Sequence, residues 1–237
     1  GTLETWAYQE CLSANWWQKT PEEGIIWGQW PKVSEVEILH QDRKGYLLRI
    51  NEKQIARIVP FDLGNDLSRL MHYSPWSDAL KGLMITLPSM VYHVENNDRI
   101  IVYNCSDVAI NTEDFDSDKL AANLGTIHSA LHDFATPNTE RRWNDRLKDI
   151  ESELKVTTLW RAPHSKYTVG LPRLNLDLAL LCKEQDELLF IADVRSPVEH
   201  LMCHSDRLPG LANLMLIEQQ ISFAKGMDED DRKSMLE

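Results

Sequence analysis

A chain of 237 residues, 43% hydrophobic and 26% charged, is long enough to bury a full core, either as one large domain or as two small lobes. Its formal net charge of −12 makes it a poor candidate for general nucleic-acid binding, which needs a basic face to neutralise phosphates, although net charge averages over faces and leaves room for a local basic groove. Cys11, Cys105, Cys182 and Cys203 form no Cys-x-x-Cys pair, no apolar run approaches about 18 residues, and no basic-then-apolar leader opens the chain. A disulfide scaffold, a structural zinc site, a membrane span and a secretory signal are therefore not expected, and reduced thiols in a cytoplasmic compartment are.

In chain order, residues 1–31 hold five of the eight tryptophans: Trp6, Trp16, Trp17, Trp27 and Trp30. Glu4–Gln18 reads as a helix with rings on more than one side. Thr20-Pro21-Glu22-Glu23 reads as the start of a helical turn, with Thr20 as cap and Pro21 at the first position. The rings either pack onto the domain that follows or anchor a protein partner, since aromatic residues concentrate at interface hot spots.

Residues 33–60 change to a shorter period. Val33, Val36 and Ile38, then Tyr46, Leu48 and Ile50, then Ile55 and Ile58 predict three strands joined by Gln41–Gly45 and Asn51–Lys53, a small antiparallel meander. Leu63, Leu67, Leu70 and Met71 place a helix within 62–81. Two more strands, Ser89–Val94 and Arg99–Tyr103, flank the turn Glu95–Asp98.

After Asn104 the pattern becomes mostly helical. Asp116-Ser-Asp118 offers capping oxygens to a helix over Lys119–Phe134, whose apolar face is Leu120, Leu124, Ile127 and Leu131. A second helix is predicted over 139–155. A loop covers 161–170, strands cover Leu174–Cys182 and Glu187–Ala192, and further helices cover 208–224 and the residues from Asp228 onward.

The run Leu87-Pro-Ser-Met-Val ahead of Arg99-Ile-Ile-Val-Tyr resembles the strands before the hinge of a protein-kinase-like fold. The detailed likeness is to its small-molecule branch, the aminoglycoside phosphotransferase, choline kinase and lipopolysaccharide kinase group. Leu120-Ala-Ala-Asn-Leu-Gly-Thr-Ile-His128 resembles the first large-lobe helix of that group. Phe190-Ile-Ala-Asp193 resembles the strand that ends in its metal-binding aspartate, and Asp206–Met215 its later helix. The resemblance spans residues 33–237. It implies an α+β, two-lobed fold, with a Trp-rich extension over 1–32, an antiparallel-sheet lobe over 33–104 and a mostly helical lobe over 105–237.

The resemblance also implies ATP and magnesium, whose use can be checked piece by piece. Phosphoryl transfer is mostly positioning and charge neutralisation. It needs a backbone cradle over the phosphates, a cation on the third strand, an acid that holds the cation, a hydroxyl-orienting aspartate and metal ligands. Gln41–Gly45 has a single glycine and reads better as a plain hairpin turn than as a cradle. Arg57 stands where the group places its cation, with Asp66 favoured over Asp62 as its acid, and Asn104 stands at the hinge beside the nucleotide. Asp193 is the implied magnesium ligand.

The catalytic loop departs from the pattern. His-x-Asp with an asparagine five residues on would fall near Gly170–Ala179, where Pro172, Leu174 and Ala179 occupy the three positions. A shifted register leaves Asp177 as the candidate hydroxyl-orienting group, with Asp206 in His204-Ser-Asp206 as an out-of-order alternative. Two readings follow: a pseudokinase kept for binding or scaffolding, or an ATP-dependent phosphotransferase acting on a small hydroxylated molecule. An α+β domain unrelated to kinases is the third. His128 and His132 lie four apart on one helix but lack a His-Glu-x-x-His acid, so they read as packing residues rather than metal ligands.

Overall fold

A computed structural model describes residues 10–42, 45–59, 77–94, 99–105, 108–110, 116–137, 145, 148, 152, 169–172, 175–182, 187–193 and 207–209. The fold is α+β, with mostly antiparallel sheets and few helices among those residues.

The N-terminal segment is not one long helix over its described part. It forms a single helical turn, α1 (Ala14–Trp17), and an extended strand, β1 (Ile25–Gly28). Ring N–H groups take the carbonyls that a longer helix would use. Trp17 Nε1 donates to Cys11 O at 2.8 Å, and Trp30 Nε1 donates to Trp17 O at 2.9 Å. Thr20–Glu23 does not start a helix either. The chain bends there, and Gly24, at φ +95°, turns it into β1.

The expected meander is present as β2 (Glu37–Asp42), β3 (Gly45–Asn51) and β4 (Gln54–Val59). α2 (Ser77–Leu80) is the described end of the helix predicted over 62–81, whose remainder lies outside the described residues. Next come β5 (Ile85–Thr86), β6 (Pro88–His93), β7 (Arg99–Asn104) and β8 (Val108–Ile110). α3 (Ser117–Ala130) begins as predicted. Asp116 accepts from the N–H groups of Asp118 and Lys119 at 3.0 and 3.1 Å. The helix ends four residues early and tightens into a 3-10 turn at His132–Phe134.

β9 (Thr136–Pro137), β10 (Val169–Pro172), β11 (Asn175–Cys182), β12 (Glu187–Asp193) and β13 (Arg207–Pro209) complete the described elements. The mostly helical character expected of 105–237 is not what the described residues display: strands dominate them. The predicted helix 139–155 is represented by helical Asp145, Lys148 and Ser152. Leu208 and Pro209, expected to open a helix, belong to β13, and the predicted helices beyond them lie outside the described residues. The loop predicted over 161–170 gives way to strand at Val169, because β10 finds partners on both sides that are distant in sequence.

β1-β6-β7-β4-β3-β2 form one antiparallel six-stranded sheet. Its central strands are apolar almost throughout because both faces are covered. Leu47, Ile55, Val59, Val91, Ile101 and Tyr103 line the inner face, against Leu120, Leu124, Ile127 and Leu131 of α3 and Leu189, Phe190 and Ile191 of β12. Leu48, Ile50, Ala56, Ile58, Met90, Tyr92, Ile100 and Val102 line the outer face, which Cys11, Trp17 and Val33 cover. The described tryptophans thus pack onto the sheet. Trp16, Trp17 and Trp30 join Tyr92 in a ring cluster with centroids 5.1–6.1 Å apart.

A second sheet, β5-β12-β11-β8, stands beyond the inner face, with β5 parallel to β12. Its edge strands β5 and β8 lie just before β6 and just after β7 in sequence. The β6–β7 hairpin therefore joins the two sheets at both of its ends. β13-β10-β9 form a third, small sheet.

β1 lies close on β6 at Gly28. A Cβ there would sit 2.2 Å from Ser89 O on a backbone at φ +89°, whereas Gly82, at φ +80°, has open space. Gly82→Ala should cost about 1–2 kcal/mol for the left-handed backbone alone. Gly28→Ala should cost about 1–3 kcal/mol more, since it adds a backbone collision. Urea midpoints of the two variants check this, and equal losses would contradict the close approach.

Candidate functional site

Strand alternation decides which face Arg57 occupies. Its neighbours Ala56 and Ile58 belong to the outer core, and Ile55 and Val59 belong to the inner one. Arg57 therefore shares the inner face, in a row that crosses the sheet: Trp27, Val91, Ile101, Arg57, Leu47, His40. Arg57 as a whole is 2% exposed. One step away along the ladder, Arg99 pairs with Val59 on one side and His93 on the other, and is fully buried. Guanidinium groups keep their charge at any ordinary pH, so burying two of them requires polar partners inside the fold. Both take part in polar, ring or electrostatic contacts. The inner face thus carries two cations where a run of apolar residues dominates the sequence.

The β2–β3 connection is a tight hairpin. Pairing runs to Asp42 opposite Gly45, which leaves only positions 43 and 44 to close the turn, and Gly45 sits at φ +121°. Two residues cannot form a row of convergent amides over a string of phosphates, so the plain-hairpin reading of Gln41–Gly45 is the one observed.

At the end of β7 the chain leaves the large sheet through Asn104 and Cys105, and hydrogen bonds crowd this point. Gln54 Nε2 donates to Asn104 Oδ1 at 2.8 Å, and Asn51 Nδ2 donates to Gln54 Oε1 at 2.8 Å. Asn51 Oδ1 accepts from Lys53 N at 2.9 Å, an Asx-type turn that fixes the β3–β4 corner. Cys105 N donates to Lys53 O at 3.0 Å. Thr86 Oγ1, from the second sheet, donates to Asn104 O at 3.1 Å.

The described parts of the segment where the resemblance places a catalytic loop, Gly170–Pro172 and Asn175–Ala179, are extended. Pro172 ends β10 opposite Arg207 of β13. Asn175 pairs with Asp193, Leu176 with Ala192, and Asp177 with Ile191. The ladder then shifts, and Ala179 falls within the irregularity. By backbone register Asp177 and Asp193 occupy diagonal positions on neighbouring strands. β12 packs on the inner face through Phe190 and Ile191, the same face that holds Arg57. Asp66, Asp62 and Asp206 lie outside the described residues. Among the described residues no group of three or more His, Cys, Asp or Glu side chains is placed to hold a metal ion.

Two features here were not visible as site features in the sequence. Arg99 follows the turn Glu95–Asp98 as the first residue of a predicted strand, which gives no signal of burial. Thr86, in Leu83-Met-Ile-Thr-Leu-Pro88, is the one polar residue in an apolar run, and that was the available signal for a buried hydroxyl. Among the described residues no helix is long and apolar enough to cross a membrane.

A nucleotide and its magnesium do not fit the described residues well. The hairpin lacks a cradle, and the N–H at the β7 exit is already bonded within the chain. The chain has structural similarity to a glucosamine kinase in crystal form B. The TM-score is 0.41 and the identity 9%, over 92% of this chain and 67% of that one. No protein-family model and no curated protein matches the sequence.

His128, in the last turn of α3, has its pKa pushed below the ordinary 6.5 by burial. The folded imidazole therefore binds a proton less readily than the unfolded one. Protonation favours unfolding, so this contribution is present above about pH 6.5 and is lost as the pH falls below it. His128→Gln should lose less Tm than the parent between about pH 7.5 and about pH 5.5. Parallel melting curves check this, and an equal or steeper loss in the variant would contradict it.

Proposed function

We propose that this chain is a kinase-like protein that binds rather than catalyses, a pseudokinase used as a scaffold. The observation that most supports this is the paired, extended backbone of β10 and β11, the described residues of the segment where a catalytic loop would be. Pro172 ends a paired strand, Ala179 lies within another, and neither can accept a proton or bind a metal. The two-residue β2–β3 hairpin supports it independently, because it offers phosphate no amide cradle. The order of elements is in keeping with a kinase-like small lobe: a three-strand meander, then a two-strand hairpin, joined in one sheet through β4 and β7.

In this reading the working ligand is a protein partner. Trp16, Trp27 and Trp30 are only partly buried, as anchors for such a partner would be.

The alternative is an ATP-dependent phosphotransferase acting on a small hydroxylated molecule. It draws support from Arg57 on the inner face and from the diagonal register of Asp177 and Asp193. In that case Arg57, with Asp66 as its acid, and Asn104 would bind the nucleotide, Asp193 the magnesium, and Asp177 would orient the acceptor hydroxyl.

Turnover separates the two readings. The purified protein with magnesium and ATP should release no product above the protein-free rate with amino sugars, choline-like alcohols or lipopolysaccharide cores. Magnesium-dependent turnover that is abolished in Asp193→Asn would overturn the non-catalytic reading.

A further inference from the structure

We infer that the described exit from β7 is a clasp whose backbone N–H is committed within the chain rather than open to a nucleotide base, and that Asn104 is a positioning residue that ties β7 to β4 rather than a cofactor contact. This deepens the scaffold reading and rests on the kinase-like assignment behind it.

The argument is one of donors and acceptors. A heterocycle held edge-on by backbone needs an N–H and a carbonyl that can both turn towards it. At this crossing the N–H of Cys105 has one hydrogen, and it points at Lys53 O, 3.0 Å away. The carbonyl of Asn104 receives the Thr86 hydroxyl at 3.1 Å, and its side-chain oxygen receives Gln54 Nε2 at 2.8 Å. Gln54 is in turn held by Asn51 at 2.8 Å, and Asn51 by the Lys53 amide at 2.9 Å.

The bonds form one connected chain. It starts in the β3–β4 turn, passes through the end of β7 and reaches β5, which pairs with β12 of the second sheet. A base entering here would exchange an internal bond for one to itself, with no net gain in hydrogen bonding, and would break a network whose members support one another. The Asn104 carbonyl keeps a second lone pair, so the Cys105 N–H is the group this network withholds, while the Thr86 hydroxyl, on a residue only 8% exposed, fixes the carbonyl's direction.

Amide hydrogen exchange at Cys105, combined with melting curves, tests the inference on the full chain. Without ligand the Cys105 amide should exchange slowly, and adding magnesium and ATP should leave its rate unchanged. Asn104→Ala and Thr86→Val should each lower Tm by about 2–4 °C, the shift expected for losing one such bond in a chain of this size. Asn104→Asp keeps an oxygen for Gln54 and should hold the parent Tm within about 1 °C. It also serves if the alanine variant fails to fold.

Slowed exchange at Cys105 on adding magnesium and ATP would overturn the inference. So would an ATP-dependent rise in Tm that Asn104→Ala abolishes. A rise in Tm with Cys105 exchange unchanged would place the nucleotide elsewhere and uphold the clasp. Catalytic turnover bears on the scaffold reading, whereas a Cys105 response without turnover would sink the clasp alone.

Discussion

The pairing of β4 with β7 is the constraint on which the rest of the molecule depends. Six consecutive pairs, from Gln54 opposite Asn104 to Val59 opposite Arg99, join a meander to a hairpin about fifty residues further along the chain. Closing so large a loop costs entropy, and the cost must be offset by burial on both sides of the new ladder. Both sides are indeed buried. Ile55, Val59 and Ile101 face α3 and β12, while Ala56, Ile58, Ile100 and Val102 face the N-terminal segment. Neither half of the sheet would have two covered faces without the other.

That requirement gives the tryptophan-rich segment a physical purpose. An outer face of aliphatic side chains exposed to water would be a large apolar patch. Trp17, fully inserted, and the half-buried Trp16 and Trp30 cover it, with β1 extending the sheet beyond β6. Tyr92 belongs to the same layer. Its hydroxyl donates to Glu23 O at 3.2 Å, and burial, assisted by the nearby Glu23 charge, pushes its pKa up. On the other face the same ladder sets Arg57 and Arg99 among apolar neighbours. The crossing at Asn104 then follows from register: Gln54 is opposite Asn104, so the two side chains meet at the end of the central strand pair, where Lys53 O bonds the next amide and Thr86 the Asn104 carbonyl.

Much of this was legible in the residues. The meander, the β6–β7 hairpin, β11, β12 and the capped start of α3 each carry a local signal: alternating or continuous apolar strands between turn residues, or Asp116 ahead of a three- and four-residue apolar spacing. β1 was missed because Ile25-Ile-Trp-Gly28 sits among tryptophans and gains its strand character only by pairing with β6. β10 was missed because Gly170 and Pro172 look like loop residues, although a proline at a strand's end removes no needed donor. β5, β8, β9 and β13 are two or three residues long and exist only through distant partners.

The candidate site divides the same way. The inward placement of Arg57 follows from alternation once its strand is known. The bond between Gln54 and Asn104, fifty positions apart, has no local signature at all. Polar residues beside turns are usually read as solvated, and here a glutamine that opens β4 ties it to the end of β7.

A crystal structure of the protein grown with magnesium and a non-hydrolysable ATP analogue tests the central claim most directly. The account predicts that the Cys105 amide stays on Lys53 O and the Thr86 hydroxyl on Asn104 O, with no base between them. A purine bonded to the Cys105 amide, with the Lys53 and Thr86 contacts broken, would contradict it.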